Sequence, residues 1–156
     1  MNIREYQPED REAIEKCVFE LQDAENKRLP HYWMSAEEAT HPYYDYLVKK
    51  IIAERGQIFV AEKSERVIGF IAVVTDKNDS PCVAIKKYAY IPDFAVLKEF
   101  QKMGVGKQLM DKAEQFARES GMKYIMLDVT YTNPAFDFYK KYGYREQGIT
   151  MDKKII

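Results

Sequence analysis

The spacing of apolar positions changes period several times along the chain, and each change marks an element. "NIREY" alternates as a short first strand. In "QPEDREAIEKCVFELQDAENKRL", Ile14, Val18 and Leu21 recur at helical spacing, so one face packs inward. Pro8 suits a first helical turn, and the acidic residues beside it favour the positive helix end. "LPHYWM" breaks that helix. Ser35 and Glu38 form a Ser-x-x-Glu capping pattern for a second helix. Pro42 interrupts it, leaving "YYDYLVKKIIAER" as the stronger helix, closed by Gly56. "QIFVAEK" and "VIGFIAVVT" read as a hairpin through Ser64–Arg66. "NDSP" then turns into "CVAIKKYAYIPDFAV", a long strand in which Pro92 implies a bulge or an unpaired edge. A helix follows over "GVGKQLMDKAEQFARES", with Val105, Leu109, Ala113 and Phe116 on one side and Gly121 at its end. "YIMLDVT" is nearly continuously apolar, as in a strand deep in a sheet. "PAFDFYKKY" makes a short helix stopped by Gly143, and "YREQGITMDKKI" closes the chain as a last strand. The order β-α-α-β-β-β-α-β-α-β predicts one mixed α/β domain over residues 1–156, without repeats or linkers.

Composition narrows the function classes. The chain has 156 residues, 24 basic and 25 acidic, for a net charge of -1. No basic block stands out, so neither nucleic acid nor a membrane surface is an expected partner. Cys17 and Cys82 lie far apart and make neither a metal spacing nor a disulfide framework. His31 and His41 are isolated, and no metal is expected. The N-terminus lacks the apolar core of a signal peptide, and no run reaches the ~20 apolar residues of a membrane span, so the expected location is cytoplasmic. Twelve tyrosines are an excess that needs a structural explanation.

The stretch "FQKMGVGKQLM" carries the candidate chemistry. Glycines at the head of a helix let backbone amides approach a phosphate, and the helix dipole attracts it. A nucleotide P-loop requires Gly-x-x-x-x-Gly-Lys-Ser/Thr. Aligned on Gly106 and Lys107, it finds Gln101 in place of the first glycine and Gln108 in place of the metal-binding hydroxyl. A dinucleotide loop requires a third glycine where Leu109 stands. Both readings fail, and a bare turn into a helix remains the plain alternative.

Gln101-Lys102-Met103-Gly104-Val105-Gly106 resembles the acetyl-coenzyme A signature of the GNAT superfamily of N-acetyltransferases, Gln/Arg-x-x-Gly-x-Gly/Ala. Some thirty residues later, "NPAFDFYKKYGYRE" resembles the family's second signature, and the order of elements matches its fold. The resemblance implies a sheet with splayed central strands and acetyl-CoA as cosubstrate. It implies that amides from Lys102 to Lys107 cradle the pyrophosphate and that Phe94, Ala95 and Val96 pair their backbone with the pantetheine arm. Lys107 either adds charge attraction or is a solvated first-turn lysine. Relatives carry an asparagine near the second signature where this chain has Thr132, with Asn133 beside it as a substitute contact.

Acetyl transfer requires an amine deprotonated, a thioester carbonyl polarised and a thiolate protonated. By resemblance, Tyr139 is the acid that protonates the thiolate. For the base, Pro92 stands where many relatives have glutamate. Asp93 is adjacent, and a water relay through Asp93, Tyr88 or Tyr90 is equally open. Family members select the acceptor with the first two helices and the loop between them. That region holds Tyr32, Trp33, Tyr43, Tyr44 and Tyr46 together with Asp23, Glu25, Glu37, Glu38 and Asp45, a combination suited to a cationic amine. Tyr32, Trp33 and Asp23 are the acceptor-binding candidates. The expected function is acetylation of a primary amine, on a small molecule or a protein, by direct attack in a ternary complex. The alternative is an acetyl-CoA-binding sensor without catalysis. A homodimer formed through the last strand is a further expectation.

Overall fold

The protein is described by a computed structural model covering all 156 residues. Five strands form one sheet in the order β1 (Asn2–Glu5), β2 (Gln57–Lys63), β3 (Arg66–Lys77), β4 (Lys87–Val96) and β5 (Ile125–Leu127). The first four are antiparallel neighbours, and β5 lies parallel to β4. Helices α1 (Arg11–Arg28) and α2 (Ala36–Ala53) cover one face, and α3 (Val105–Glu119) and α4 (Ala135–Tyr142) the other. β3 shows why two layers are needed. Phe70, Ala72 and Val74 pack with α1 and α2, while Ile71 and Val73 pack with α3. A strand apolar at every position is stable only when covered on both sides.

The hairpin, the glycines that end α3 and α4 and the break at Pro92 lie where the sequence puts them. Ser64 and Glu65 both take positive φ, 50° and 61°, in the two-residue turn between β2 and β3, the geometry whose twist matches flanking strands. Gly121 and Gly143 sit in left-handed conformations just past α3 and α4. Between β3 and β4, Ala72 pairs with Asp93 and Val74 with Tyr90. Two steps on β3 therefore span three on β4, and the extra residue falls at Ile91–Pro92. This bulge exchanges the faces of the strand. Before it, Ala89 and Ile91 face α3; after it, Phe94 and Val96 face that layer, and Ala95 packs with α1 and α2.

Several expectations are corrected. α2 runs through Pro42 without a break. Proline removes one backbone hydrogen bond, and the burial of Tyr44, Leu47 and Ile51 on the same helix outweighs it. Ser35 does cap this helix, accepting from the Glu38 amide at 3.4 Å. At its other end the left-handed residue is Arg55, φ 51°, not Gly56. The Gly56 amide reaches back to Ile51 O at 2.8 Å, and a Cβ on Gly56 would stand 2.5 Å from Val73 O. The deep strand expected over Tyr124–Thr130 is three residues long and only half-buried. Residues 82–86 precede β4 rather than belong to it. The last strand does not form. Residues 145–156 carry no regular structure and are exposed throughout. No helix is long and apolar enough to cross a membrane.

Candidate active site

β4 and β5 pair only through Ala89–Ile125, Tyr90–Met126 and Ile91–Leu127. The bulge at Pro92 begins where that pairing ends, so the two strands part and a cleft of about 490 Å³ opens between them. Its walls come from β4, the end of β5 and the turn after it, α1, the α1–α2 connection, α2 and α4, and no Lys, Arg or His lines it.

Asp93 sits at the base of this cleft, 8% exposed. One carboxylate oxygen accepts the Phe94 amide at 2.8 Å, and the Tyr43 hydroxyl lies beside the group. Burial raises the carboxyl to about 7, against the smaller opposing effects of the Phe94 amide and the Tyr43 hydroxyl. The bulge directs Asp93 toward the α1 and α2 layer, where its charge is felt by Cys17, itself pushed up to about 12 mainly by burial.

Tyr139, on α4, reaches the same cleft from the other layer. Its ring lies 6.3 Å from that of Phe94 and 5.8 Å from that of Tyr144. Burial, and then the charges of Asp93 and Glu25, hold the phenol well above its ordinary pKa, so it keeps its proton at neutral pH. Part of the tyrosine excess is explained here, since Tyr139, Tyr142 and Tyr144 pack with Phe94 and Phe138 into one aromatic cluster. Tyr32 and Tyr43, beside Trp33 on the cleft wall, account for another part.

The glycine loop lies at the start of α3. The amides from Lys102 to Lys107 donate to no backbone acceptor, and the first bond of the helix runs from Gln108 N to Gly104 O at 3.3 Å. Gly104 takes φ 80°, and a Cβ built there meets no atom within 4 Å. A Cβ on Gly106 would come within 3.1 Å of the Phe94 ring. The first turns of α1, α2 and α4 each carry an acidic side chain, and that of α3 carries none. The dipole there is left uncompensated. Gln101 is exposed, and its side-chain amide donates to Val96 O at 3.0 Å. Val105 is buried, whereas Met103 is 58% exposed. Lys107 is paired with Asp111 at 2.7 Å.

Other candidates are placed less simply. Tyr32 and Trp33 line the cleft, and the Trp33 indole N–H is buried without an acceptor. Asp23 does not line it and pairs outward with Lys27 at 2.6 Å. Thr132 is exposed on the β5–α4 turn. Both ends of the Asn133 amide are engaged, the nitrogen with Glu25 and the oxygen with the Ala135 amide.

The sequence profile of the Acetyltransferase (GNAT) family matches residues 15–144. The chain belongs to the GNAT family. A Sulfolobus acidocaldarius protein named N-alpha-acetyltransferase is 30% identical over 118 residues, covering 72% of this chain and 69% of that one. The chain spans about half the length of other curated GNAT relatives it matches, 50% and 56%. Among solved structures, a point mutant of a Bacillus halodurans protein superposes over all of both chains with a TM-score of 0.89 at 21% identity. An aminoglycoside N-acetyltransferase in complex with CoA superposes over 99% of this chain and 100% of its own, with a TM-score of 0.70 at 17% identity. These structures share the GNAT fold with the chain.

Proposed function

We propose that the protein transfers an acetyl group from acetyl-CoA to a primary amine by direct attack in a ternary complex. The observation that carries this is the row of amides from Lys102 to Lys107 without backbone acceptors, at the start of a helix whose Gly106 lies against the Phe94 ring of β4. Such a row binds an anion without side-chain charge. The open space at Gly104 and the acid-free first turn fit a pyrophosphate. Phe94 to Val96 lie on β4 beyond its pairing with β5, where an extended arm can add to the strand. Bound acetyl-CoA supplies a thioester whose carbonyl carbon accepts the amine and whose sulfur leaves. Asp93, with a pKa of about 7, takes a proton from the acceptor ammonium. Tyr139, kept protonated by its surroundings, supplies the proton for the departing sulfur. The wall of Tyr32, Trp33 and Tyr43, with no basic residue nearby in the lining, favours a cationic acceptor.

Melting curves with acetyl-CoA, with ATP and with neither test the cradle first. A ligand at 100 times its Kd adds ~2.7 kcal/mol, a rise of roughly 5–10 °C for a chain of this size. Acetyl-CoA alone should give it; no rise ends the proposal. Release of free thiol with a panel of amines then tests turnover. The name of the Sulfolobus relative makes a peptide α-amine the first acceptor to try, beside small diamines and aminoglycosides. Binding without turnover across the panel, with acyl transfer to no member, would leave a sensor rather than an enzyme.

A further inference from the structure

Glu25 is buried, 7% exposed, near the end of α1, yet the chemistry above gives it no part. Its partners are far away in sequence. One carboxylate oxygen accepts the Thr130 hydroxyl at 2.9 Å, and the other accepts the Asn133 side-chain N–H at 2.6 Å. Arg28, one turn on, donates to the same oxygen as Asn133. Thr130 and Asn133 belong to the turn between β5 and α4, and α1 lies in the opposite helical layer. The connection therefore crosses the molecule where β5 has stopped at Leu127, and Glu25, Thr130 and Asn133 all line the cleft. Asn133 carries the connection onward. Its side-chain oxygen accepts the Ala135 amide at 2.8 Å, and its carbonyl accepts the Phe136 amide at 2.9 Å. Ala135 opens α4, and Tyr139 stands one turn later on the same helix.

We propose that Glu25 is a positioning residue: its carboxylate clamps the end of α1 to the β5–α4 turn and, through Asn133, fixes the first turn of α4 and hence the place of the Tyr139 hydroxyl. This rests on the reading of Tyr139 as the proton donor. A buried carboxylate is held in place only when its oxygens are satisfied, and here two of the three donors come from the turn that leads into the acid's helix. The clamp couples the acceptor wall, to which α1 contributes Val18 and Leu21, to the leaving-group side of the cleft. Acceptor binding and acid placement become parts of one rigid unit. The commitment of Asn133 to this clamp also explains why its amide is not free for the coenzyme arm.

The test is a swap, read in two ways. Glu25→Gln removes the charge and leaves one accepting oxygen for the donors of Arg28, Thr130 and Asn133, and Asn133→Asp sets two carboxylates against each other. In Glu25→Gln/Asn133→Asp the bond re-forms with its donor reversed, while the carboxylate introduced on the turn still accepts the Ala135 amide. Each single variant should exchange the amide hydrogens of Ala135–Tyr139 about tenfold faster and lower kcat about tenfold, the size expected for one charge-assisted bond. Each should keep the acetyl-CoA-induced melting shift. The double variant should recover both readouts. In a Tyr139→Phe background, Glu25→Gln should lower kcat no further. Thr130→Val loosens the clamp from one side and serves if Glu25→Gln does not fold; it should speed α4 exchange severalfold. Wild-type exchange in the single variants, or a double variant no better than the worse single, overturns the clamp. If the wild-type protein turns over no amine, the exchange readout still decides the clamp, and the failure belongs to the proposed reaction.

Discussion

Asp93 and Tyr139 are a carboxyl and a phenol whose surroundings push both toward the protonated form, with different consequences. A base of pKa about 7 is ionised only above neutrality, so kcat/KM should rise with pH and level off above about 8. A profile flat from pH 6 to 9 would remove Asp93 from the reaction. The same burial acts on stability. The folded-state pKa lies above the ordinary carboxylate value of 3.8, so between roughly pH 4 and 7 the native state holds more protons than the unfolded chain. The favourable contribution is complete below that window and is lost as pH rises through it. Asp93→Asn should therefore abolish turnover yet raise the melting temperature at pH 8, with little change at pH 4. Calorimetry at the two pH values checks this, and equal shifts at both would contradict it. Tyr139→Phe removes only the hydroxyl from a ring held by Phe94 and Tyr144. It should lower kcat by about 10²-fold or more, within the range for a general acid, while acetyl-CoA affinity stays within twofold by calorimetric titration.

The loop into α3 works through its backbone, so its substitutions should separate binding from folding. Gly104→Val puts a β-branched residue at φ 80°, costing on the order of 1–3 kcal/mol of strain. Its side chain also projects into space the protein leaves open. The acetyl-CoA melting shift should vanish while the far-ultraviolet circular dichroism spectrum is retained; an undiminished shift would place the phosphates elsewhere. This loop was legible because its signal is local: glycine spacing, a strand before it and a helix after it. The hairpin and the bulge at Pro92 were legible for the same reason. Elements governed by distant partners were not. The alternation in "GITMD" satisfies the strand pattern, but alternation is realised only where a segment pairs with a sheet edge, and this one pairs with neither β1 nor β5. Pro42 reads as a stop when only its missing N–H is counted and as an interior residue once the apolar positions after it are buried. Glu25 could not have been singled out from its neighbours Asp23 and Asn26, because the groups that hold it lie 105 and 108 residues away. Nor could the orientation of Asp93 be read, since it depends on whether the bulge comes before or after it.

Across the whole molecule the apolar surface is unevenly distributed. Ile149, Met151, Ile155 and Ile156 are 85–103% exposed, and burial is what makes such side chains stabilising. Removing residues 149–156 should therefore leave the melting temperature within about 2 °C, since the one ion pair lost, His31–Asp152 at 3.5 Å, is exposed and such pairs contribute ~0–1 kcal/mol. A larger, concentration-dependent drop would show that a second copy covers this segment, and light scattering on both forms would then give the stoichiometry.

The extra residue in β4 has a consequence for how this molecule can change over generations. It acts as a phase shift, after which every side chain down to Val96 points to the layer opposite the one simple alternation assigns. Loss of the Pro92 codon would restore plain alternation with Asp93 directly after Ile91, so Asp93 and every residue down to Val96 would keep their present layers, while the bulge at which β4 parts from β5 would go. The glycine loop that follows, whose unpaired amides depend on no side chain, would keep its sequence unaltered. A single in-frame deletion would thus spare both the layer of Asp93 and the amides of the glycine loop, and would act on the opening between the strands alone.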